Sequence, residues 1–127
     1  MPLVRVDVLE GRSPDELTAI GDGVHRALVE AIGIPAQDRF QVLSRHQEGR
    51  LVFDRHYLGI ARTDGVVFVQ ITMSVGRSLE QKKNLLAAIV RNLAEKPGVR
   101  PEDVLINLVE VVKENWSFGH GIAQYAS

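Results

Sequence analysis

The amino-acid sequence repeats itself at an offset of 65 residues. The tripeptide Gly-Arg-Ser begins at position 11 and again at position 76. The same offset joins further positions of similar chemical character, namely Ile20 with Leu85, Val24 with Ile89, Leu28 with Leu93, Gly33 with Gly98, Ile34 with Val99 and Asp38 with Asp103. Agreement at this many positions predicts two copies of one structural unit.

Each copy contains the pattern of an amphipathic helix. Its paired apolar positions are separated by three- and four-residue steps, so they share one helix face. We predict helices over 14–32 and 79–95. In the first copy Ser13 is a suitable N-cap, and Glu16 three residues later completes a capping box. The glycine that follows each predicted helix suits a C-terminal cap.

Strand patterns flank both helices. Three valines at positions 4, 6 and 8 alternate with Arg5 and Asp7, which is the period-two pattern of a strand with one polar face. The predicted strands cover residues 2–8, 39–46, 66–73 and 104–112. Each copy is therefore a β-α-β unit, the first over about 2–46 and the second over about 66–112. The segment from 47 to 64 is predicted to be a linker with a short hairpin.

A β-α-β unit implies parallel pairing of its two strands by a right-handed crossover. The predicted fold class is therefore α/β (α+β): two β-α-β repeats that form a four-stranded mixed sheet with two helices on one face. The other face of the sheet would stay uncovered and would expose many apolar side chains. We therefore expect the protein to form an oligomer through that face.

Composition narrows the function. The 127 residues, 45% of them hydrophobic and 24% charged, predict one globular domain. Fifteen basic residues balance sixteen acidic ones without a basic cluster, which argues against a nucleic-acid partner. There is no cysteine, and the four histidines lack the spacing of metal ligands, so no metal site is predicted. Without a signal-peptide pattern or a membrane-spanning stretch, the expected location is the cytoplasm.

Proline at position 2 stands at the start of the first predicted strand. Proline commonly opens an edge strand, so the residue by itself carries little information. Once Met1 is removed, however, Pro2 presents a secondary amine. An unperturbed α-amino group titrates near pH ~8; burial or neighbouring cations lower that pKa, and a nearby carboxylate raises it. Neutral Pro2 would move protons, whereas protonated Pro2 would polarise a carbonyl group.

Four segments carry a resemblance to a known family: MPLVRVDVLEGRS at the start, IPAQDRFQ after the first helix, GRSLEQK opening the second helix, and NWSFGHGIAQY near the end. Together they resemble the tautomerase superfamily, specifically its malonate semialdehyde decarboxylase branch, over nearly the whole chain. The resemblance implies a homotrimer whose sheets line the interior. It also implies a lyase that converts malonate semialdehyde to acetaldehyde and carbon dioxide without a cofactor.

The same resemblance implies three catalytic residues. Pro2 would be the catalytic amine, Asp38 the carboxylate beside it, and Arg77 the cation that holds the substrate carboxylate. Members of this branch can carry an Arg-x-Arg pattern here, but this chain has Val75 in the first position. A single arginine is therefore left to hold the substrate carboxylate, and the identity of the substrate stays open. The structural alternative for Asp38 is a cap on the turn into the second strand. We expect the repeat counterparts to be structural, with Asp103 in a turn and Arg12 in surface or interface pairing.

Aromatic residues near the C-terminus complete the candidate site. The resemblance implies that Trp116 and Phe118 wall the pocket, and Tyr125 stands where the family has an aromatic residue. His120, in a Gly-His-Gly run beside them, is a further candidate substrate contact. This run does not follow the first strand or open a long helix, so it does not predict a nucleotide cofactor. The aromatic residues could equally pack against a neighbouring subunit.

Three functions other than decarboxylation remain open. Keto-enol tautomerisation of a phenylpyruvate-like enol would need neutral Pro2 as a base. Hydration of an acetylenic or haloacrylic acid would use the same groups. In the third, a trimer without catalytic activity would bind a small acid or another protein through the same pocket.

Overall fold

The fold is seen in a computed structural model, which describes residues 2–126. The strands are β1 (Leu3–Leu9), β2 (Gln41–His46), β3 (Val67–Ser74) and β4 (Val104–Val111), and the helices are α1 (Pro14–Ile32) and α2 (Leu79–Glu95). Short 3-10 turns lie at Tyr57–Gly59, Pro101–Asp103 and Lys113–Asn115. Both helices and all four strands agree with the sequence prediction to within two residues at each end. Among residues 2–126, no helix has the length and apolar character needed to cross a membrane.

The four strands form one mixed sheet in the order β2-β1-β3-β4. β1 is parallel to β2, β3 is parallel to β4, and the two central strands are antiparallel. Val4 lies opposite Gln41, and the positions 65 residues further on, Val69 and Ile106, are also opposite each other. The two β-α-β units are therefore related by a pseudo-two-fold axis that passes through the sheet. The predicted mixed sheet is confirmed.

Both helices begin at a capping box. Ser13 accepts a hydrogen bond from the backbone N–H of Glu16 at 3.1 Å, and Ser78 accepts one from Gln81 at the same distance. The predicted glycine cap holds for α1, where Gly33 is left-handed with φ 68°. In α2 the C-cap residue is Lys96, which is extended because it precedes a proline. Gly98, with a φ of 102°, still donates its backbone N–H to the carbonyl of Leu93 at 3.0 Å, so this glycine also caps the end of its helix.

The core lies between the helices and one face of the sheet. Valines 4, 6 and 8 of β1 pack there against buried side chains of both helices, among them Ile20, Leu28, Leu85 and Leu93. The opposite face, which we call the open face, carries alternate residues of all four strands. Its partly exposed apolar side chains include Leu3, Val42, Leu105 and Val109. The prediction that both helices share one face is thus confirmed.

The segment between the repeats contains no strand within residues 47–66, so the predicted hairpin is wrong. Polar contacts with the backbone hold this segment instead. The guanidinium of Arg62 donates to the carbonyl groups of Asp54, Tyr57 and Ile60 at 3.1–3.3 Å. Hydrogen bonds from a side chain to backbone carbonyl groups do not depend on the hydrophobic pattern, so the sequence did not predict them.

Candidate active site

Sheet topology brings four segments of the chain to one end of the sheet. Because β2 is parallel to β1, both strands begin at this end; β3 is antiparallel to β1, so β3 and its parallel neighbour β4 finish there. Pro2 precedes β1, Asp38 lies in the segment leading to β2, Arg77 follows β3 and Trp116 follows β4. We call this the Pro2 end of the sheet. All the sequence-predicted site residues belong to segments that meet at it.

Pro2 is buried and lines a concavity of about 260 Å³, the Pro2 concavity. The other lining residues are Leu3, Phe40, Trp116, Ser117 and Phe118. The backbone N–H of Val4 donates to the carbonyl of Phe40 at 3.0 Å, which continues the pairing of β1 and β2 and fixes Phe40 beside Pro2. The lining is mostly apolar, and a charge in such surroundings interacts more strongly than it would in water.

Three aromatic rings form a continuous wall. Trp116 and Phe118 are stacked, with ring centroids 5.5 Å apart, and the edge contact between Phe118 and Tyr125 has a centroid distance of 4.9 Å. The indole N–H of Trp116 donates to the hydroxyl of Ser74, at the end of β3, at 3.0 Å. This bond ties the C-terminal segment to the sheet, so the aromatic wall has a fixed position.

A glutamine closes the turn that follows the wall. The backbone N–H of Phe118 donates to the Gln124 side chain at 2.9 Å, and the Gln124 amide donates to the carbonyl of Gly119 at 3.0 Å. His120 sits in this turn with a φ of 60° and is exposed. His120 is not among the described residues that line the Pro2 concavity or the concavity that contains Arg77. The structure therefore does not bring His120 to Pro2, and its substrate contact stays a prediction.

Arg77 lines a second, larger concavity of about 480 Å³, the Arg77 concavity. Its other lining residues are Ser74, Val75, Gly76, Gln81, Lys113 and Tyr125. The guanidinium is half-buried and donates to the carbonyl of Ser74 at 3.2 Å. Because Tyr125 lines this concavity and contacts Phe118 of the Pro2 concavity, the aromatic wall joins the two.

Asp38 lies in the turn before β2 and is half-buried. Its backbone N–H donates to the carbonyl of Pro35 at 3.0 Å, and the carboxylate atom Oδ1 is shielded from solvent. Asp38 is not among the residues that line the Pro2 concavity. Met1 lies outside the described residues, so the free amine of Pro2 and its pairing with Asp38 stay predictions.

The other end of the sheet carries the repeat counterparts of Asp38 and Arg77, namely Asp103 and Arg12. Asp103 is only 2% exposed and accepts hydrogen bonds from the backbone N–H and the hydroxyl of Thr63. Arg12 donates to the carbonyl of Gly65 at 3.2 Å and pairs with Glu16 at 3.0 Å. The structural role predicted for Asp103 is confirmed. The predicted pairing of Arg12 is confirmed, with the 40% exposed Glu16 of its own chain as the partner, although the Arg12 side chain itself is only 13% exposed.

Several residues that line the two concavities were not predicted from the sequence, among them Phe40, Ser74, Gln81 and Lys113. Phe40 could have been predicted, because it immediately precedes β2, which is parallel to β1 and begins at the same end of the sheet. The other three depend on the path of the segments after β3 and β4, which no periodicity describes. Within residues 2–126 no group of three or more His, Asp or Glu side chains is placed to hold a metal ion.

Comparison with known proteins places this geometry in a family. Residues 38–119 match one family model described as tautomerase enzyme, and residues 2–60 match a second with the same description. The chain is similar to two Bacillus subtilis proteins, probable tautomerase YusQ and probable tautomerase YrdN. YusQ is 36% identical over 98% of both chains; YrdN is 34% identical over 98% of this chain and 96% of the relative.

Solved structures give the same picture. A malonate semialdehyde decarboxylase inhibited by 3-bromopropiolate superposes with a TM-score of 0.91 at 41% identity, covering 97% of this chain and 93% of the other. A second malonate semialdehyde decarboxylase, described with decarboxylase and hydratase activities, gives 0.89 at 36% identity and coverages of 97% and 95%. A symmetric trimer 22% identical to this chain, with a TM-score of 0.80 and 98% coverage of both chains, shares the fold.

Proposed function

Since this chain belongs to the tautomerase superfamily, we propose that it decarboxylates a small 3-oxo acid, malonate semialdehyde, without a cofactor. One observation carries the proposal. The mostly apolar Pro2 concavity adjoins the concavity that contains Arg77, and one aromatic wall borders both. A carboxylate near Arg77 would place the carbonyl group of a short substrate toward Pro2. The two malonate semialdehyde decarboxylases of similar structure support this choice of substrate.

In the proposed reaction Pro2, freed by removal of Met1, acts as a protonated amine. The carbon–carbon bond to the carboxylate breaks, and its electron pair moves toward the carbonyl oxygen, where the ammonium group donates a hydrogen bond. Carbon dioxide leaves, and the resulting enolate takes one proton at carbon, from the ammonium group or from water, to give acetaldehyde. Alternatively, neutral Pro2 attacks the aldehyde carbon and water leaves, which gives an iminium ion whose nitrogen accepts the same electron pair. The resulting enamine is protonated at carbon, and hydrolysis then releases acetaldehyde and the free amine.

Asp38 would act on the Pro2 amine, and Arg77 would act on the substrate carboxylate. A carboxylate near the amine favours the protonated form of Pro2, and Asp38 is the acidic residue of the segment that leads to Phe40. The guanidinium of Arg77 would hold the substrate carboxylate by two parallel hydrogen bonds. The apolar lining around Pro2 strengthens the attraction between the ammonium group and the negative charge that develops on the carbonyl oxygen.

Keto-enol tautomerisation is the second candidate, and the curated relatives favour it because both are described as probable tautomerases. This reaction needs a neutral Pro2 that accepts a proton from one atom and returns it to another. The two candidates therefore differ in the protonation state of one amine. A Pro2 pKa above neutrality favours decarboxylation, and one near or below neutrality favours tautomerisation.

The experiment follows 3-oxopropanoate by proton NMR after mass spectrometry has established whether Met1 is removed. The purified protein is compared with its Pro2→Ala variant, and circular dichroism checks that the variant is folded. Acetaldehyde formed only with intact Pro2 would support the decarboxylase. If 3-oxopropanoate and its hydrate persist, decarboxylation of this substrate is excluded. Turnover of phenylpyruvate enol would then support the tautomerase, and inactivity on both substrates would favour a binding protein.

We also propose that the working form is a homotrimer assembled through the open face. Four apolar side chains on that face are between 37% and 43% exposed, namely Leu3, Val42, Leu105 and Val109. Burial of such a surface is a common reason for stable self-association. A protein of the same fold is described as a symmetric trimer.

A further inference from the structure

Two cationic side chains line the Arg77 concavity. Arg77 comes from the segment after β3, and Lys113 opens the 3-10 turn that follows β4. Among the described residues that line this concavity none is acidic. Two positive groups without a carboxylate between them give a positive local potential, which attracts anions.

The equivalent arginines of the two copies, Arg12 and Arg77, have different surroundings. In the first copy Arg12 pairs with Glu16, four residues later, at 3.0 Å. The equivalent of Glu16 in the second copy is Gln81, which closes the same capping box by accepting from the N-cap backbone at 2.9 Å. The helix start is thus preserved while the negative charge is absent. Within the described part of the chain no carboxylate lies at ion-pairing distance from Arg77, so its charge is available to a ligand.

The charge of Lys113 is available in the same way. Glu110, three residues earlier on β4, is paired with Lys82 at 2.6 Å. Glu114 borders a separate concavity that Lys113 also touches, and in the described residues the two side chains form no ion pair. Within residues 2–126 Lys113 therefore has no acidic partner, and it lines the same concavity as Arg77.

We propose that Lys113 is a substrate-binding residue, the second cation of a carboxylate subsite in which Arg77 is the first, and that neutral Gln81 keeps this subsite positive. The inference rests on the proposed function, in which Arg77 holds the substrate carboxylate. The substrate class is a short acid whose carboxylate lies between both cations. Tyr125, which lines the same concavity, adds a hydroxyl donor.

The test measures binding without turnover. The probe is 3-hydroxypropanoate, which lacks the carbonyl group needed for decarboxylation. Trp116 is the sole tryptophan in the sequence and belongs to the aromatic wall, so its fluorescence reports ligand at this end, with calorimetry as the second measurement. Lys113→Met should weaken binding about tenfold, the usual effect of losing one charged hydrogen bond. Lys83→Met, which removes an exposed charge from α2 outside the concavity, is the matched control and should change binding less than about twofold.

Two further variants test the charge argument while leaving the helix start intact. Gln81→Glu retains the capping box but places a carboxylate four residues from Arg77, as in the first copy, and should weaken binding about as much as Lys113→Met. Val75→Arg, added to Lys113→Met, should restore binding because Val75 lines the same concavity. In turnover of 3-oxopropanoate, Lys113→Met should raise KM with little change in kcat.

The outcomes separate this inference from the proposed function. Binding that depends on Lys113 in a protein that does not decarboxylate 3-oxopropanoate would retain the subsite and exclude that reaction. Decarboxylation with an unchanged KM in Lys113→Met would retain the reaction and exclude Lys113 as a ligand. The inference is also overturned if 3-hydroxypropanoate does not bind to the unmodified protein, or if Lys83→Met weakens binding as much as Lys113→Met.

Discussion

Asp103 accepts two hydrogen bonds from Thr63, one from its backbone N–H at 2.7 Å and one from its hydroxyl at 2.6 Å. These bonds fasten the linker to the start of β4 and satisfy a carboxylate that is almost fully buried. The repeat counterpart, Asp38, lies at the Pro2 end of the sheet. In the second copy this acidic position stabilises the fold, as Asp103. In the first copy, as Asp38, we propose that it takes part in catalysis.

This division predicts opposite effects of two matched substitutions. Asp103→Ala should lower the free energy of unfolding by about 3 kcal/mol, because it removes two hydrogen bonds to a buried, charged carboxylate. Asp38→Ala should change that free energy by less than about 1 kcal/mol and reduce turnover of 3-oxopropanoate by about a hundredfold or more, the lower end of the range for a removed acid-base group. Urea unfolding at a fixed protein concentration, together with the NMR assay, measures both. Equal loss of stability in the two variants would argue for a purely structural Asp38.

The bond between Trp116 and Ser74 gives a second prediction. Ser74 is 4% exposed, and its hydroxyl is the acceptor that holds the indole N–H against the end of β3. Ser74→Ala should cost about 1 kcal/mol of stability, the usual net value of one hydrogen bond. It should also shift the tryptophan emission to the red, because the released ring becomes more hydrated. Ser117→Ala, an exposed position beside the same ring, is the control, and an unchanged emission maximum in Ser74→Ala would contradict the prediction.

The internal repeat made most of the fold predictable from the sequence. Apolar periodicity defines α1 and α2, and the 65-residue offset requires their flanking strands to pair in the same register, as Val4 with Gln41 and Val69 with Ile106 do. Where the chain departs from the repeat, the sequence predicted less. Lys96, which is extended before Pro97, is the C-cap residue of α2, whereas a glycine is that of α1, and the linker lies between the two copies and belongs to neither.

The candidate site was predictable only in part, for a related reason. Pro2, Asp38 and Arg77 stand beside strand ends, and the strand order determines that these ends meet. Lys113 and Ser74 join the site through the turn after β4 and through one side-chain bond to Trp116. Neither feature follows from a repeat or a period, because turns and single hydrogen bonds depend on tertiary contacts.

Glu16 gives a prediction about pH. The backbone N–H of Ser13, and then the guanidinium of Arg12, stabilise its ionised form and hold the pKa of Glu16 below its ordinary value of 4.5. A lowered pKa in the folded state means that this stabilisation is present above the ordinary pKa and is lost as the pH falls through the folded value. Glu16→Gln should therefore be less stable than the unmodified protein at pH 7, and the difference should shrink toward pH 3. Thermal unfolding at both pH values checks this, with Glu80→Gln, an exposed acidic residue in the first turn of α2, as the control. A stability difference that is the same at both pH values would contradict the assignment.

The open face gives the last prediction. Leu105 is 43% exposed on this face, in line with Phe68 of the neighbouring strand, whereas Leu79 is 68% exposed at the start of α2 on the helical side. If the protein assembles through its sheets, a charge at position 105 would be buried without a partner, which costs several kcal/mol per subunit by the usual penalty. Leu105→Glu should then shift the protein from trimer to monomer in light scattering after size exclusion, and Leu79→Glu should leave the mass unchanged. A trimer that survives Leu105→Glu but dissociates with Leu79→Glu would move the interface to the helices. The far-UV spectrum of each variant distinguishes dissociation from unfolding, because a released but folded monomer keeps its helical signal.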